Sequence, residues 1–232
     1  MKKSKNDCDL KSCFFCKSCS KEWLPAIDAN KQTFEFRKGE LMFKEGDPVK
    51  GIFFLYQGKA KIHKKWGNDK ELIIRIANKG AIFGHRGLGH STTYPVSGTA
   101  LENVTACYID LEFFEATLKV NPNFTYELLL FFADELQESE NRMRNLAHMP
   151  VKGRVAQALL TLTQKFGVTP DGFIDINLSR QDLASFTGTT YETIFRIMSD
   201  LTEEKIILLE QKYIKVLNEE KLMAITTEST NQ

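Results

Sequence analysis

The sequence predicts an α+β protein in three parts: an antiparallel barrel or jelly roll, a long helix, and a winged helix-turn-helix. Three observations carry that reading. Apolar residues alternate from about Thr33 to Ile109, with glycines at the turns. Nothing breaks a helix between Phe124 and Leu146. The segment from Leu178 to Leu201 reads as cap, helix, tight turn, cap, helix.

In the roll, Phe34, Phe36, Leu41 and Phe43 flank a turn at Lys38-Gly39, and Glu45-Gly46-Asp47-Pro48 marks another. Gly51 to Tyr56 reads as a buried strand closed by Gln57-Gly58. Ala60 and Ile62 then alternate with Lys59, Lys61 and His63. Gly67-Asn68-Asp69 is a hairpin loop before the strand Leu72 to Ile76. Leu111 to Leu118 is a short helix, and Asn121-Pro122 restarts the chain.

The long helix has an apolar side of Leu128, Phe131, Phe132, Leu136, Met143 and Leu146, interrupted by Glu135, Ser139 and Arg142. A helix this long between two domains carries more apolar surface than one small roll covers, so a dimer seam is expected. Met149-Pro150 ends it. Val155 to Phe166 is a further amphipathic helix, and a short strand is expected from Phe173 to Ile176. The domain plan is a cysteine-rich tail over 1–22, the roll over 23–120, a dimerisation helix over 121–149 and the helix-turn-helix domain over 150–232.

Ser179 is a good N-cap with Asp182 three residues on, Gly188 allows the turn, and Thr190 caps the second helix. Ile194, Ile197, Met198 and Leu201 face inward. Tyr191, Glu192, Phe195 and Arg196 are left outward, near the end that enters the major groove in this motif. Arg can bond guanine O6 and N7 together, and Glu can accept from cytosine N4. Leu208, Leu209 and Tyr213 to Val216 read as a wing, with Lys212 placed for phosphate. The candidate DNA contacts are thus Arg180, Thr190, Tyr191, Glu192, Phe195, Arg196 and Lys212. Acidic and basic residues nearly balance from Val151 to Leu217, so non-specific affinity should be modest.

Composition narrows the function classes. The chain is 42% hydrophobic and 26% charged with a formal net charge of +1, the balance of a globular protein with no chain-wide field for nucleic acid or membrane. No apolar run approaches the ~18 residues of a membrane span, and the Lys-rich start lacks an apolar signal core. A cytoplasmic location is expected, with no membrane partner. There, clustered cysteines more often serve a metal or redox site than disulfides. No Ser/His/Asp set, phosphate-cradling loop or carboxylate pair stands out, so no enzyme is expected. His63, His85, His90 and His148 share no tight metal spacing.

The string Thr190-x-Glu192-Thr193-Ile194-x-Arg196 resembles the recognition-helix signature of the Crp/Fnr family of bacterial transcription regulators. Asn145-Leu146-Ala147, Gly153-Arg154-Val155-Ala156, Lys38-Gly39-Glu40 and Gly46-Asp47 resemble its hinge and roll turns, and the likeness covers nearly the whole chain. It implies a cyclic-nucleotide-binding-type β-roll, a dimerisation helix and a winged helix-turn-helix. It also implies a homodimer on double-stranded DNA at an inverted-repeat operator, with RNA polymerase as a partner. Glu192 and Arg196 would then read a TGA- or GA-type half-site. Phe195 departs from the small or polar residue usual there, and Tyr191 from the Arg of the cyclic-AMP receptor subgroup.

The phosphate cassette of the nucleotide-binding members is missing. His85 stands for the expected Glu, Tyr94-Pro95 for Arg-Ser, and Ser139-Glu140 for a hydroxyl pair. Arg86 is a displaced cation. His85, Arg86, Tyr94, Ser139 and Glu140 are the candidate effector residues, and cyclic AMP is not the expected effector. These departures resemble the oxygen-sensing Fnr subgroup, which holds a [4Fe-4S] cluster on three N-terminal cysteines and one central cysteine. Cys107 stands at the central position. Cys13, Cys16 and Cys19 form C-x2-C-x2-C, the start of a ferredoxin run, and Cys8 is a further candidate ligand. A zinc site on Cys8, Cys13, Cys16 and Cys19 is the alternative. The signal implied is oxygen or nitric oxide. The alternative readings are a metal-free regulator with another small effector, or a metal or electron carrier that does not bind DNA.

Overall fold

A computed structural model describes residues 2–3, 8–67 and 70–227. It divides into two compact units, Met1–Leu136 and Gln137–Gln232. The first begins with β1 (Lys2–Lys3), α1 (Phe14–Ser18) and α2 (Leu24–Asn30). The roll follows as β2 (Gln32–Phe36), β3 (Leu41–Phe43), β4 (Gly51–Gln57), β5 (Ala60–Trp66), β6 (Lys70–Ala77), β7 (Ile82–Phe83), β8 (Ser97–Ala100) and β9 (Val104–Asp110). Then come α3 (Leu111–Val120) and the long helix α4 (Pro122–His148). One antiparallel sheet runs β1-β2-β9-β4-β7 and the other β3-β8-β5-β6. Asn68 and Asp69 of the expected hairpin loop lie outside the described residues.

Alternation places one face of each strand inside, and Phe36, Phe43, Phe53 and Phe83 interlock there with ring centroids 5.5 to 6.3 Å apart. Gly51 opens β4 where it crosses β9. A Cβ there would stand 2.3 Å from the Ile109 carbonyl oxygen, so only glycine fits.

The cysteine-rich segment is integral to this core. α1 is too short to be stable by itself. It is held by Phe15, which is fully buried among Phe54, Phe114 and Phe124 at centroid distances of 5.0, 5.8 and 5.0 Å. Polar ties complete the dock. The Phe14 N–H donates to the Gly80 carbonyl at 3.1 Å, the Ser20 N–H to Asn121 Oδ1 at 3.1 Å, and Trp23 Nε1 to Thr117 Oγ1 at 3.1 Å.

The second unit contains α5 (Val151–Phe166), α6 (Arg180–Thr187), α7 (Tyr191–Glu203), the hairpin β10 (Ile207–Glu210) with β11 (Tyr213–Val216), and α8 (Glu219–Thr227). α5 starts four residues before Val155, because Pro150 is accommodated as its N-cap. The strand expected from Phe173 to Ile176 is not formed. Only an isolated bridge from Ile174 to Val168 is present, and the Ile174 N–H donates to the Ile214 carbonyl at 2.8 Å instead.

Phe15→Ala should cost about 3–5 kcal/mol in urea unfolding. It should also speed reaction of Cys107 with a thiol reagent, because the anchor covering that strand is lost.

Candidate functional site

The helix-turn-helix is built by its caps. Ser179 Oγ accepts from the Asp182 N–H at 3.0 Å and donates back to the Asp182 carboxylate at 2.6 Å, starting α6. Gly188 takes the left-handed conformation at φ +68°, closing α6 and turning the chain. Thr190 Oγ1 accepts from the Thr193 N–H at 3.3 Å and starts α7. Arg154 braces the turn: its Nε donates to the Thr187 carbonyl at 2.9 Å and its Nη2 to the Gly188 carbonyl at 3.2 Å. These carbonyls belong to the last turn of α6, where a cation is favoured.

α7 buries Ile194, Ile197, Met198 and Leu201 and leaves Tyr191, Glu192, Phe195 and Arg196 exposed. Phe195 is 60% exposed, uncommon for a Phe unless a partner covers it. The Glu192 carboxyl is held below its ordinary range by its own backbone N–H at the helix start, then by Thr190. Arg180 is partly tied to the wing, its Nη2 reaching the Gln211 carbonyl at 3.4 Å. Lys212 lies with its ammonium 5.6 Å from the Tyr213 ring centre.

In the first unit all five cysteines are buried and free. Cys107 lies on β9, between Thr33 of β2 and Phe54 of β4. The thiols of Cys13, Cys16, Cys8 and Cys107 are near neighbours in that order, close enough for each to shift the titration of the next. Cys107 and then Cys16 hold the Cys8 thiol far below its usual range, against its burial. Cys16 is pushed up by Cys13 and Cys8, and Cys107 by Cys8. Cys19 is outside this group, and burial raises its thiol to about 12. Cys13 also caps α1, its Sγ accepting from the Cys16 N–H at 3.4 Å. Among the described residues, no three His, Cys, Asp or Glu side chains are already disposed around a single metal ion.

The effector candidates divide. His85 and Arg86 face Glu135 of α4, with Arg86 Nη2 2.9 Å and His85 Nε2 3.4 Å from Glu135 Oε2. Arg75 of β6 binds the other oxygen at 2.6 Å. Tyr94 serves the core: its hydroxyl donates to the Gly51 carbonyl at 2.7 Å and its ring packs on Phe43 at 4.5 Å. Ser139 and Glu140 belong to the second unit, where Glu140 is exposed. Sequence reasoning missed Arg75 and took Glu135 only as a break in a stripe. The signal was there: an Arg inside Leu-Ile-Ile-Arg-Ile and a Glu inside an apolar face are charges that require partners.

Residues 33–121 match the cyclic nucleotide-binding domain, and residues 153–225 match the Crp-like helix-turn-helix domain. Roll, long helix and recognition helix together define a DNA-binding transcription regulator with a cyclic-nucleotide-binding-type domain, not an enzyme. The chain belongs to the Crp/Fnr family. It is 28% identical over 191 residues to the global nitrogen regulator of Synechococcus elongatus, covering 81% of this chain and 86% of that one. It is 26% identical over 213 residues to the anaerobic regulatory protein of Bacillus subtilis, covering 90% and 88%. It shares its fold with FixK2 from Bradyrhizobium japonicum at a TM-score of 0.76 and 21% identity, covering 84% and 96%. No helix among the described residues is long and apolar enough to cross a membrane.

The ion cluster makes a pH prediction. Burial would raise the Glu135 carboxyl, but the adjoining His85 ring and the Arg75 and Arg86 charges outweigh it and hold it well below the ordinary 4.5. Its folded value is thus below its unfolded one. Its contribution is complete above about 4.5 and is lost as pH falls below that. His85 is lowered from 6.5, chiefly by burial and then by the two arginines, with Glu135 opposing, so the unfolded chain protonates first and stability starts to fall below 6.5. Glu135→Gln should remove about 3–5 kcal/mol at neutral pH. In urea unfolding at stepped pH it should flatten the limb below 4.5 and retain the loss from 6.5 downward.

Proposed function

We propose that the protein is a cytoplasmic homodimer that reads an inverted-repeat operator and takes its signal, oxygen or nitric oxide, through Cys8, Cys13, Cys16 and Cys107. The observation that carries this reading is the burial of the N-terminal thiols beside Cys107 of β9. Four soft, buried donors from two distant segments suit an iron–sulfur group better than a lone ion with oxygen ligands. Bound there, a [4Fe-4S] group would supply an oxygen-labile cross-link between tail and roll. The chain's own part is to gather the thiols and to shield them. Phe15 anchors α1, and Phe14 packs against Phe124 and Phe131 at 5.9 and 5.5 Å. The printed name of the Bacillus relative, an anaerobic regulatory protein, supports this class of signal.

The long helix supports the homodimer. Leu129, Leu136 and Met143 recur every seven residues and are 63%, 59% and 59% exposed. Heptad spacing is the pattern of a coiled-coil seam, which a second copy would cover. Two α7 helices must then stand about 34 Å apart to enter successive major grooves. Arg196 and Glu192 would read base edges, and RNA polymerase would be the partner of the DNA-bound form.

Arg196→Ala should abolish operator binding in a gel shift. Unchanged binding would sink the DNA reading. Leu136→Glu should give a monomer by light scattering. Protein purified without oxygen should show iron–sulfur absorbance with iron rather than zinc. Cys8→Ala, Cys13→Ala, Cys16→Ala or Cys107→Ala should each remove that absorbance, whereas Cys19→Ala retains it. The reverse pattern for Cys8 and Cys19 would assign the ligands to C-x2-C-x2-C. A colourless protein with one zinc per chain would replace the cluster, and a metal-free one would point to a different effector.

A further inference from the structure

Three groups of the roll converge on one carboxylate. Arg75 Nη1 donates to Glu135 Oε1 at 2.6 Å. Arg86 sets Nη2 and Nε on Glu135 Oε2 at 2.9 and 3.3 Å. His85 is 2% exposed, neither ring nitrogen completes a hydrogen bond, and Nε2 lies 3.4 Å from the same Oε2. The walls are aromatic: His85 sits edge-on to Phe131 and Phe132 at 5.1 and 5.3 Å, and the Arg75 guanidinium lies 5.7 Å from the Phe131 centre. Arg75 is further oriented by its bond to the Ile82 carbonyl.

The recognising groups come from β6 and the turn after β7, whereas the recognised carboxylate comes from α4. We propose that Arg75, Arg86 and His85 form a carboxylate-binding site whose ligand is the chain's own Glu135. A paired guanidinium fork is suited to a two-oxygen anion. Two guanidinium charges meet one carboxylate here, so the site favours an anion strongly and tolerates an empty state poorly. A tethered carboxylate acts at a high effective concentration, of millimolar order or above, and outcompetes a dilute external one. The anion requirement of this pocket is therefore met internally. Glu135 fastens the first half of α4 to the roll without a diffusible anion. Arg86, with 28% of its side chain exposed, forms the rim through which an external carboxylate reaches the site once Glu135 is shortened.

The test uses the full chain and melting temperature, a readout independent of DNA and of the cysteines. Glu135→Ala should melt below the natural protein. Acetate, in excess over a millimolar site, should raise its Tm by about 3–5 °C relative to chloride at equal ionic strength. Acetamide, of the same shape without charge, should not. The natural protein, already filled, should not respond to acetate. The double variant Glu135→Ala with Arg86→Gln should lose the acetate response. If the alanine variant does not fold, Glu135→Ser makes the same comparison with a small polar side chain. No acetate response in the shortened variant, equal rescue by acetamide, or a response surviving Arg86→Gln would each overturn the proposal.

Discussion

Phe15 stands between Phe54 of β4, Phe114 of α3 and Phe124 of α4, and the placement of the cysteines depends on that contact. α1 has five residues and cannot hold a helix through backbone bonds alone. Burying one Phe is worth about 1.5–3 kcal/mol, and well-oriented ring pairs add about 0.5–1.5 kcal/mol more. That is enough to localise a short segment but not to make it permanent. Cys13 and Cys16 flank Phe15, so docking the ring brings their thiols toward Cys8 and Cys107. The same ring touches the start of α4. Through Phe15 the cysteine segment is thus in direct packing contact with α4.

α4 has two faces of different character. Phe124, Leu128 and Glu135 are buried. Leu129, Leu136 and Met143 are exposed at sevenfold spacing. The buried face mixes aromatic packing with one ion cluster, and the two differ in kind. Apolar contacts tolerate small slips, because the hydrophobic effect has no direction. The Glu135 cluster does not: each carboxylate oxygen has its own guanidinium, and a helix turn in either direction leaves charges buried and unpaired. The cluster thus sets the rotation of α4 about its axis, which decides where Leu129 and Leu136 point.

Much of this was legible in the sequence. Ser179, Gly188 and Thr190 are local signals, and caps and αL turns are determined by neighbouring residues, so α6 and α7 were expected where they lie. The roll strands were legible for the same reason: alternation is a local pattern. What failed to show was long-range. The N-terminal segment is polar enough to look like a loose tail, yet Phe15 and Cys16 are core residues. Glu135 and Arg75 are 60 residues apart, and only the fold brings them together. Phe173 to Ile176 has strand composition, but β10 and β11 pair with each other, leaving it a single bridge to Val168. The position of Cys8 was likewise invisible from spacing, since C-x2-C-x2-C draws the eye to Cys19 instead.

The two buried polar groups of the first unit differ in how well their chemistry is closed. Glu135 is answered by Arg75 and Arg86 at ion-pair distance, with little left for an external ligand to gain. The thiols are answered by one another and by a few backbone N–H groups, and a thiol is a weak donor and a weak acceptor. Thiols packed together in this way shift one another's titration, Cys8 downward and Cys16 and Cys107 upward, and a thiophilic ligand or oxidant acts on all of them at once. A signal acts where its differential binding energy between two states is large. Of the two, the thiols at the junction of the N-terminal segment with β9 keep chemistry that an added ligand would still change, whereas the ion cluster already fixes α4 against the roll.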